Sequence, residues 1–312
     1  VNKKIWPSFR RELASIIEVT IVAFLVFLLP WRLAFRGIRF LTRYTFFQVS
    51  SAASASGLME RYGFARPYPV RLFALHRLVD MADFFLTMKV GRSWLDRNVL
   101  MSGADALDKL SAKNIFFVTF HYGQGFWALK YLRDKGLPVA WLHAPPPVRP
   151  ALGEIFIGWL GRRRIRQVAR LCGASAIPVG GSVASMRERL CRDRLPVMVM
   201  PDAPLQPGQS SLPVTLFGRE ARLPAGALRM AAREAVPVIV YSISVNPVDG
   251  KRHMRFEGPF TEPTAESLAQ RLCDHLQSAI EKDPTAWHVW PWVEGFFAKT
   301  STAGTCESSV TA

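Results

Sequence analysis

The sequence predicts an α/β fold, a mostly parallel sheet flanked by helices, with a hydrophobic membrane-anchoring helix at its N-terminal end. Three observations carry this expectation. Short apolar runs alternate with helical stretches through the middle and C-terminal parts of the chain, the pattern of βα units. One run, Asn114-Ile115-Phe116-Phe117-Val118-Thr119-Phe120, is almost wholly apolar, as strands buried on both faces are, and it stops abruptly at His121-Tyr122-Gly123-Gln124-Gly125. Far upstream, Leu13 to Trp31 is apolar except for Ser15, Glu18 and Thr20.

Residues 1–48 read as a membrane anchor with a basic amphipathic segment. Crossing the hydrocarbon of a bilayer takes about 20 apolar residues, so the stretch from Leu13 is marginal as a span, and a helix embedded in the interface fits equally. Basic residues lie on both sides of it, Lys3, Lys4, Arg10 and Arg11 before and Arg32, Arg36, Arg39 and Arg43 after, which leaves orientation open. The downstream set recurs every three or four residues, interleaved with Leu33, Ile38, Phe40, Leu41 and Phe46. That is the spacing of a basic helix lying on anionic lipid. No small-residue cleavage site follows, and Pro30-Trp31-Arg32 is unlike the end of a signal peptide.

Residues 49–298 hold the α/β domain. The small residues at 50–57 suit a linker or a tight packing strip, and Tyr68 to about Asp108 reads as mixed helix without recognisable chemistry. Strands are then expected at 114–120, 138–143, 175–179, 196–201 and 236–245, alternating with helices near 126–135, 151–172, 182–193 and 225–235. Asn246-Pro247-Val248-Asp249-Gly250 is a turn signal, followed by an added strand at 253–260. Thr264 can cap a helix whose Leu268, Leu272, Leu276 and Ile280 form one stripe, ended by Pro284. Trp287, Trp290, Trp292, Phe296 and Phe297 are expected to seal the core rather than to form an interfacial belt. Residues 299–312, small and polar, make a flexible tail.

The 312 residues are 49% hydrophobic, enough for a sizeable core. Forty Lys and Arg against 24 Asp and Glu give a formal charge of +16, which points to anionic partners: phospholipid headgroups, an acidic carrier protein or nucleic acid. With no recognition motif and a hydrophobic N-terminal stretch, no nucleic acid partner is expected. The cysteines Cys172, Cys191, Cys273 and Cys306 are scattered, without a CxxC pair or zinc spacing, so the first three are expected to be small buried hydrophobes. Ligands of open α/β sheets gather beyond the carboxyl ends of the strands, which puts His121 where a catalytic group belongs. The plain alternative is a histidine that caps a turn.

The order of landmarks adds a resemblance. His121 after a strand, Met200-Pro201-Asp202 at another strand end, the stretch Gly208 to Gly218 with its Leu216-Phe217-Gly218, then Leu223-Pro224-Ala225-Gly226 opening a helix and the strand Val236 to Val240 resemble the late (lauroyl/myristoyl) acyltransferases of lipid A biosynthesis, in the lysophospholipid acyltransferase superfamily. The resemblance covers roughly residues 100–298, and the N-terminal anchor agrees with it. It implies a glycerolipid acyltransferase-like domain on the cytoplasmic face of the bacterial inner membrane. There it would move a fatty acyl group from an acyl carrier protein or coenzyme A thioester to a hydroxyl of a lipid or glycolipid acceptor. Membrane phospholipid is an implied partner; no metal and no cofactor besides the acyl thioester co-substrate are implied. The net charge suits both an anionic membrane and an acidic carrier. The cluster Arg162, Arg163, Arg164, Arg166 and Arg170 would meet phosphates or the carrier, or is a solvated helix face.

In that superfamily the signature is His-x4-Asp/Glu, a general base with an acid that orients it. The resemblance makes His121 the base, but the acid position here is Phe126. Other landmarks differ too: the basic residue after the second strand is His143, with Arg149 as a substitute, and Pro204 stands where a second acid would follow Asp202. Loss of the orienting acid in a triad costs about 10⁴ in turnover. A working site therefore needs an acid from elsewhere, Asp202 or Glu154, or a backbone carbonyl in its place. The implied site is His121 and Asp202 as catalytic residues, with Gln124, Arg149 and Arg164 binding substrate. One reading is a membrane-associated acyltransferase with a diverged site; the alternative is a catalytically inactive lipid- or carrier-binding protein that keeps the fold.

Overall fold

A seven-stranded sheet is the frame on which every other element is placed. The computed structural model describes residues 2–44, 48–64, 70–108, 114–144, 150–151, 153–206 and 208–297. The chain begins with helices α1 (Asn2–Leu28), α2 (Trp31–Leu41), α3 (Gln48–Arg61), α4 (Val70–Lys89) and α5 (Arg92–Asn98), then β1 (Val99–Ser102) and α6 (Asp105–Asp108). The alternating part follows: β2 (Phe116–Val118), α7 (Phe126–Asp134), β3 (Val139–His143), α8 (Ile155–Cys172), β4 (Gly173–Pro178), α9 (Ser182–Arg187) and β5 (Val197–Val199). After it come the hairpin β6 (Ser211–Leu216) and β7 (Arg219–Pro224), α10 (Gly226–Arg233), β8 (Val238–Val245), β9 (Arg252–Phe260) and α11 (Ala265–Lys282).

The strand order is β1-β9-β8-β2-β5-β3-β4, parallel at every pairing except β8 with β9, and β6 and β7 form a separate antiparallel pair. The expected mostly parallel sheet is present. Its central strands are apolar throughout because both of their faces are covered. Phe116 and Val118 join the apolar cluster under α10 and α11, whereas Phe117 joins the one under α1, α4, α7 and α8. Thr264 caps α11 through its side chain, which accepts from Ser267 N–H, and Leu268, Leu272, Leu276 and Ile280 are buried as the stripe predicts. Trp287, Trp290 and Phe296 are fully buried and seal this side, while Trp292 is exposed.

Several expectations need correction. Residues 50–57 are part of α3, not a linker. The strands around His121 and Asp202 are short, 116–118 and 197–199, and the helix at 182–193 ends in a π-turn at Glu188–Arg192. Strand β1 and the β6–β7 hairpin had no expectation at all. Cys172 and Cys273 are buried, but Cys191 is exposed.

The largest correction concerns the anchor. Among the described residues no helix is long and apolar enough to cross a membrane. Charges interrupt α1 for a reason: the carboxylate of Glu12 accepts from the N–H groups of Ile155 (3.1 Å) and Phe156 at the start of α8. That satisfies donors a helix leaves unpaired and suits its dipole. Val19, Val22 and Val26 are buried in the cluster with α4, while Phe9, Leu13, Ile16, Ile17, Phe24 and Phe27 are exposed. Helix α1 is thus two-faced, docked on the domain by one side.

Candidate active site

Strand β2 delivers the chain to the carboxyl edge of the sheet. Thr119 N–H still bonds the Val199 carbonyl, and its hydroxyl donates to the Tyr241 carbonyl, so the backbone is held on both sides just before His121. The turn then passes against β8. Gly123 has φ +66°, and a Cβ there would lie 1.5 Å from the Ile243 carbonyl oxygen, so only glycine fits.

His121 meets Asp202, which follows β5, the neighbour of β2. Its Nδ1 lies 2.9 Å from Asp202 Oδ1, and its backbone N–H donates to Oδ2 at 2.7 Å. The indole Nε1 of Trp287 donates to the same Oδ2 at 3.0 Å. Asp202 is fully buried, whereas 42% of the His121 side chain is exposed. An ionised carboxylate only accepts, so Nδ1 carries the proton and Nε2 presents its lone pair. Burial alone would lower the His121 pKa, but the charge and hydrogen bonds of Asp202 outweigh it, and the net shift is upward.

A second clamp comes from the C-terminal segment. The His288 N–H donates to the His121 carbonyl (2.8 Å), and Gly123 N–H donates to the Ala286 carbonyl (2.8 Å). His288 Nε2 donates to the Gly123 carbonyl at 3.0 Å. Burial, reinforced by the charge of Arg77, pushes the His288 pKa down to about 3, so this ring stays neutral. Trp287 and His288 thereby fix both the acid and the loop that carries the base.

Beside the dyad, α4 and α8 contribute a charged pair. Arg164 donates from Nη2 to Asp80 Oδ2 at 2.6 Å, and its guanidinium carbon lies 5.1 Å from the centre of the Phe126 ring. Burial would raise the Asp80 pKa, but the charges of Arg164 and Arg77 and the hydrogen bond from Arg164 lower it, and the charge of Asp80 also helps raise that of His121. Phe126, at the first position of α7, is buried with Phe84 beneath Arg164. The acid position has become an aromatic platform for a cation.

The structure therefore brings His121 and Asp202 together and sets Arg164 in the same charged group through Asp80. Gln124 is fully buried, and among the described residues neither of its amide atoms has a hydrogen-bond partner. Arg149 lies outside the described residues. Glu154 is exposed at the start of α8 and pairs with Arg11 at 3.5 Å, so it is not the missing acid. His143 ends β3, and its ring lies 4.7 Å from that of Trp141. Asp80, Arg77, Trp287 and His288 had no place in the sequence-based site. A signal for the first two was present: α4 is buried around most of its circumference yet carries His76, Arg77, Asp80 and Asp83. Ionisable groups in such a helix need partners or a task.

The chain matches, over residues 80–290, the model of a family described as bacterial lipid A biosynthesis acyltransferase, which is more than half of its 312 residues. No curated protein matches it.

Proposed function

The chain belongs to the bacterial lipid A biosynthesis acyltransferase family, and on that premise we propose that it transfers a fatty acyl group from an acyl carrier protein or coenzyme A thioester to a hydroxyl of a lipid or glycolipid acceptor. The observation that carries the reading is the His121–Asp202 pair, 2.9 Å apart with the acid fully buried and the base partly open. Asp202 occupies the ring nitrogen that an acid at position 126 would otherwise have to hold.

In this mechanism Nε2 of His121 takes the proton of the acceptor hydroxyl as its oxygen attacks the thioester carbonyl carbon. Asp202 keeps Nδ1–H in place and stabilises the imidazolium that forms. The tetrahedral intermediate collapses with loss of the thiolate, which takes the proton back from His121 and leaves as the thiol. Arg164, held by Asp80 and laid on Phe126, is placed to receive an anionic group of a substrate.

We further assign the protein to the cytoplasmic face of the inner membrane. The support is the exposed apolar side of α1, continued by Ile155, Ile157 and Trp159 on α8, together with the charge of +16. The second reading, a non-catalytic lipid- or carrier-binding protein, rests on the altered landmarks taken together: Phe126 at the acid position, His143 after the second strand and Pro204 beyond Asp202.

Thiol release from an acyl carrier protein or coenzyme A thioester, in the presence of a lipid A precursor, tests the assignment. Wild-type protein is expected to turn over and His121→Ala to fall by about 10³-fold or more. Turnover unaltered in His121→Ala would remove His121 from the mechanism, and none in the wild type would favour the binding protein.

A further inference from the structure

An open hollow of about 510 Å³, which His121 does not line, lies between the end of α2, the start of α4 and the 246–250 turn. Arg36 and Arg39 enter it from α2, Arg43 from the turn just after α2 and Arg71 from α4, and among the described residues no Asp or Glu lines it. Arg39 donates from Nη1 to the Val248 carbonyl at 3.1 Å, which fixes its direction without neutralising it. Arg43 lies over the Phe40 ring, 5.8 Å from its centre. Like charges three or four residues apart on a helix repel one another, and here a fourth converges on them from another helix. An anion among the guanidinium groups would relieve this repulsion, and their planar donors match phosphate oxygens.

The surroundings choose the kind of anion. Leu33, Phe40, Tyr44 and Val248 stand exposed around the arginines, and α1, on which α2 packs, exposes its own apolar side. A cationic hollow with an apolar rim suits the boundary between headgroups and acyl chains. We propose that this cavity binds the phosphate of an anionic membrane phospholipid, distinct from the acyl acceptor at His121. The proposal rests on the membrane association put forward above.

Flotation of the full chain with vesicles of phosphatidylcholine alone, or of phosphatidylcholine with 30% phosphatidylglycerol, tests it. An arginine near an anionic surface contributes roughly fivefold to binding. Replacing Arg36, Arg39, Arg43 and Arg71 by Gln together is therefore expected to weaken binding to the anionic vesicles by several hundredfold, about 600-fold if the four contribute independently, and Arg71→Gln alone by roughly fivefold. The comparison is a quadruple Gln variant of Arg192, Arg194, Arg229 and Arg233, which are exposed on the α9–α10 side of the sheet. It removes the same charge and is expected to lose less than about threefold, because attraction falls off within a Debye length. Equal losses in the two quadruple variants, or equal wild-type binding to both vesicle types, would overturn the site while leaving membrane association intact. Wild-type binding to neither vesicle would overturn both. Release of the wild type by millimolar glycerol 3-phosphate would make the ligand a soluble phosphate and overturn the lipid assignment. Arg71→Gln, an exposed change at the start of α4, decides the matter should the quadruple variant fail to fold.

Discussion

A carboxylate that receives three N–H bonds cannot be exchanged for its amide without conflict. Asp202 accepts from His121 N–H, His121 Nδ1 and Trp287 Nε1; an Asn side chain would direct its own donors at one or more of them. Asp202→Asn is expected to reduce turnover by about 10³–10⁴-fold. The pH profile gives a second reading. Because Asp202 raises the His121 pKa and the base must be neutral to act, wild-type activity should climb with pH through a value above the ordinary 6.5 of histidine. With the charge gone, the rise of the residual activity should move to lower pH. An unmoved profile would show that Asp202 does not act through His121. Phe126 gives the opposite expectation. Since Nδ1 of His121 is already occupied, Phe126→Glu should bring no gain and should remove the platform of Arg164. Acyl transfer raised tenfold or more in that variant would mean that the site lacks an acid after all.

At the scale of the element, α4 links the site to the core. The charge of Asp80 acts on His121 and that of Arg77 on His288, and one turn on from Asp80, Asp83 pairs with Arg252 of β9, both fully buried. The guanidinium of Arg252 also donates to the Gly250 carbonyl at 2.6 Å and lies among Trp31, Trp94 and Trp127, 4.1 to 5.7 Å from their ring centres. Removing one member of a buried pair leaves the other charge without compensation, so Asp83→Ala is expected to cost about 3–5 kcal/mol in chemical denaturation. Combining it with Arg252→Met should recover part of that loss, because no buried charge then remains. A double variant no more stable than Asp83→Ala would show that the cation's packing among the indoles matters more than its pairing. Helix α1 obeys a related rule. Its Glu12, which weakens it as a membrane span, is the cap of α8.

At the scale of the whole molecule, what could be foreseen was local. The alternation of apolar runs identified most of the strands and helices from 116 to 282, and His121 at the end of one run marked the edge where chemistry gathers. The stripe of α11 and the tryptophans that seal the core followed from periodicity and hydrophobicity in the same way. Short β1 and the β6–β7 hairpin escaped because a few residues of mixed polarity carry little periodic signal. The charged residues of α4 escaped because nothing nearby in sequence says what they face. By itself the sequence determined the βα pattern, the position of the histidine and the absence of an acid at 126, all properties of neighbouring residues. Only the tertiary structure decided which acid holds His121. That acid lies 81 residues further on, and it arrives because β5 pairs with β2, a choice made by packing across the sheet.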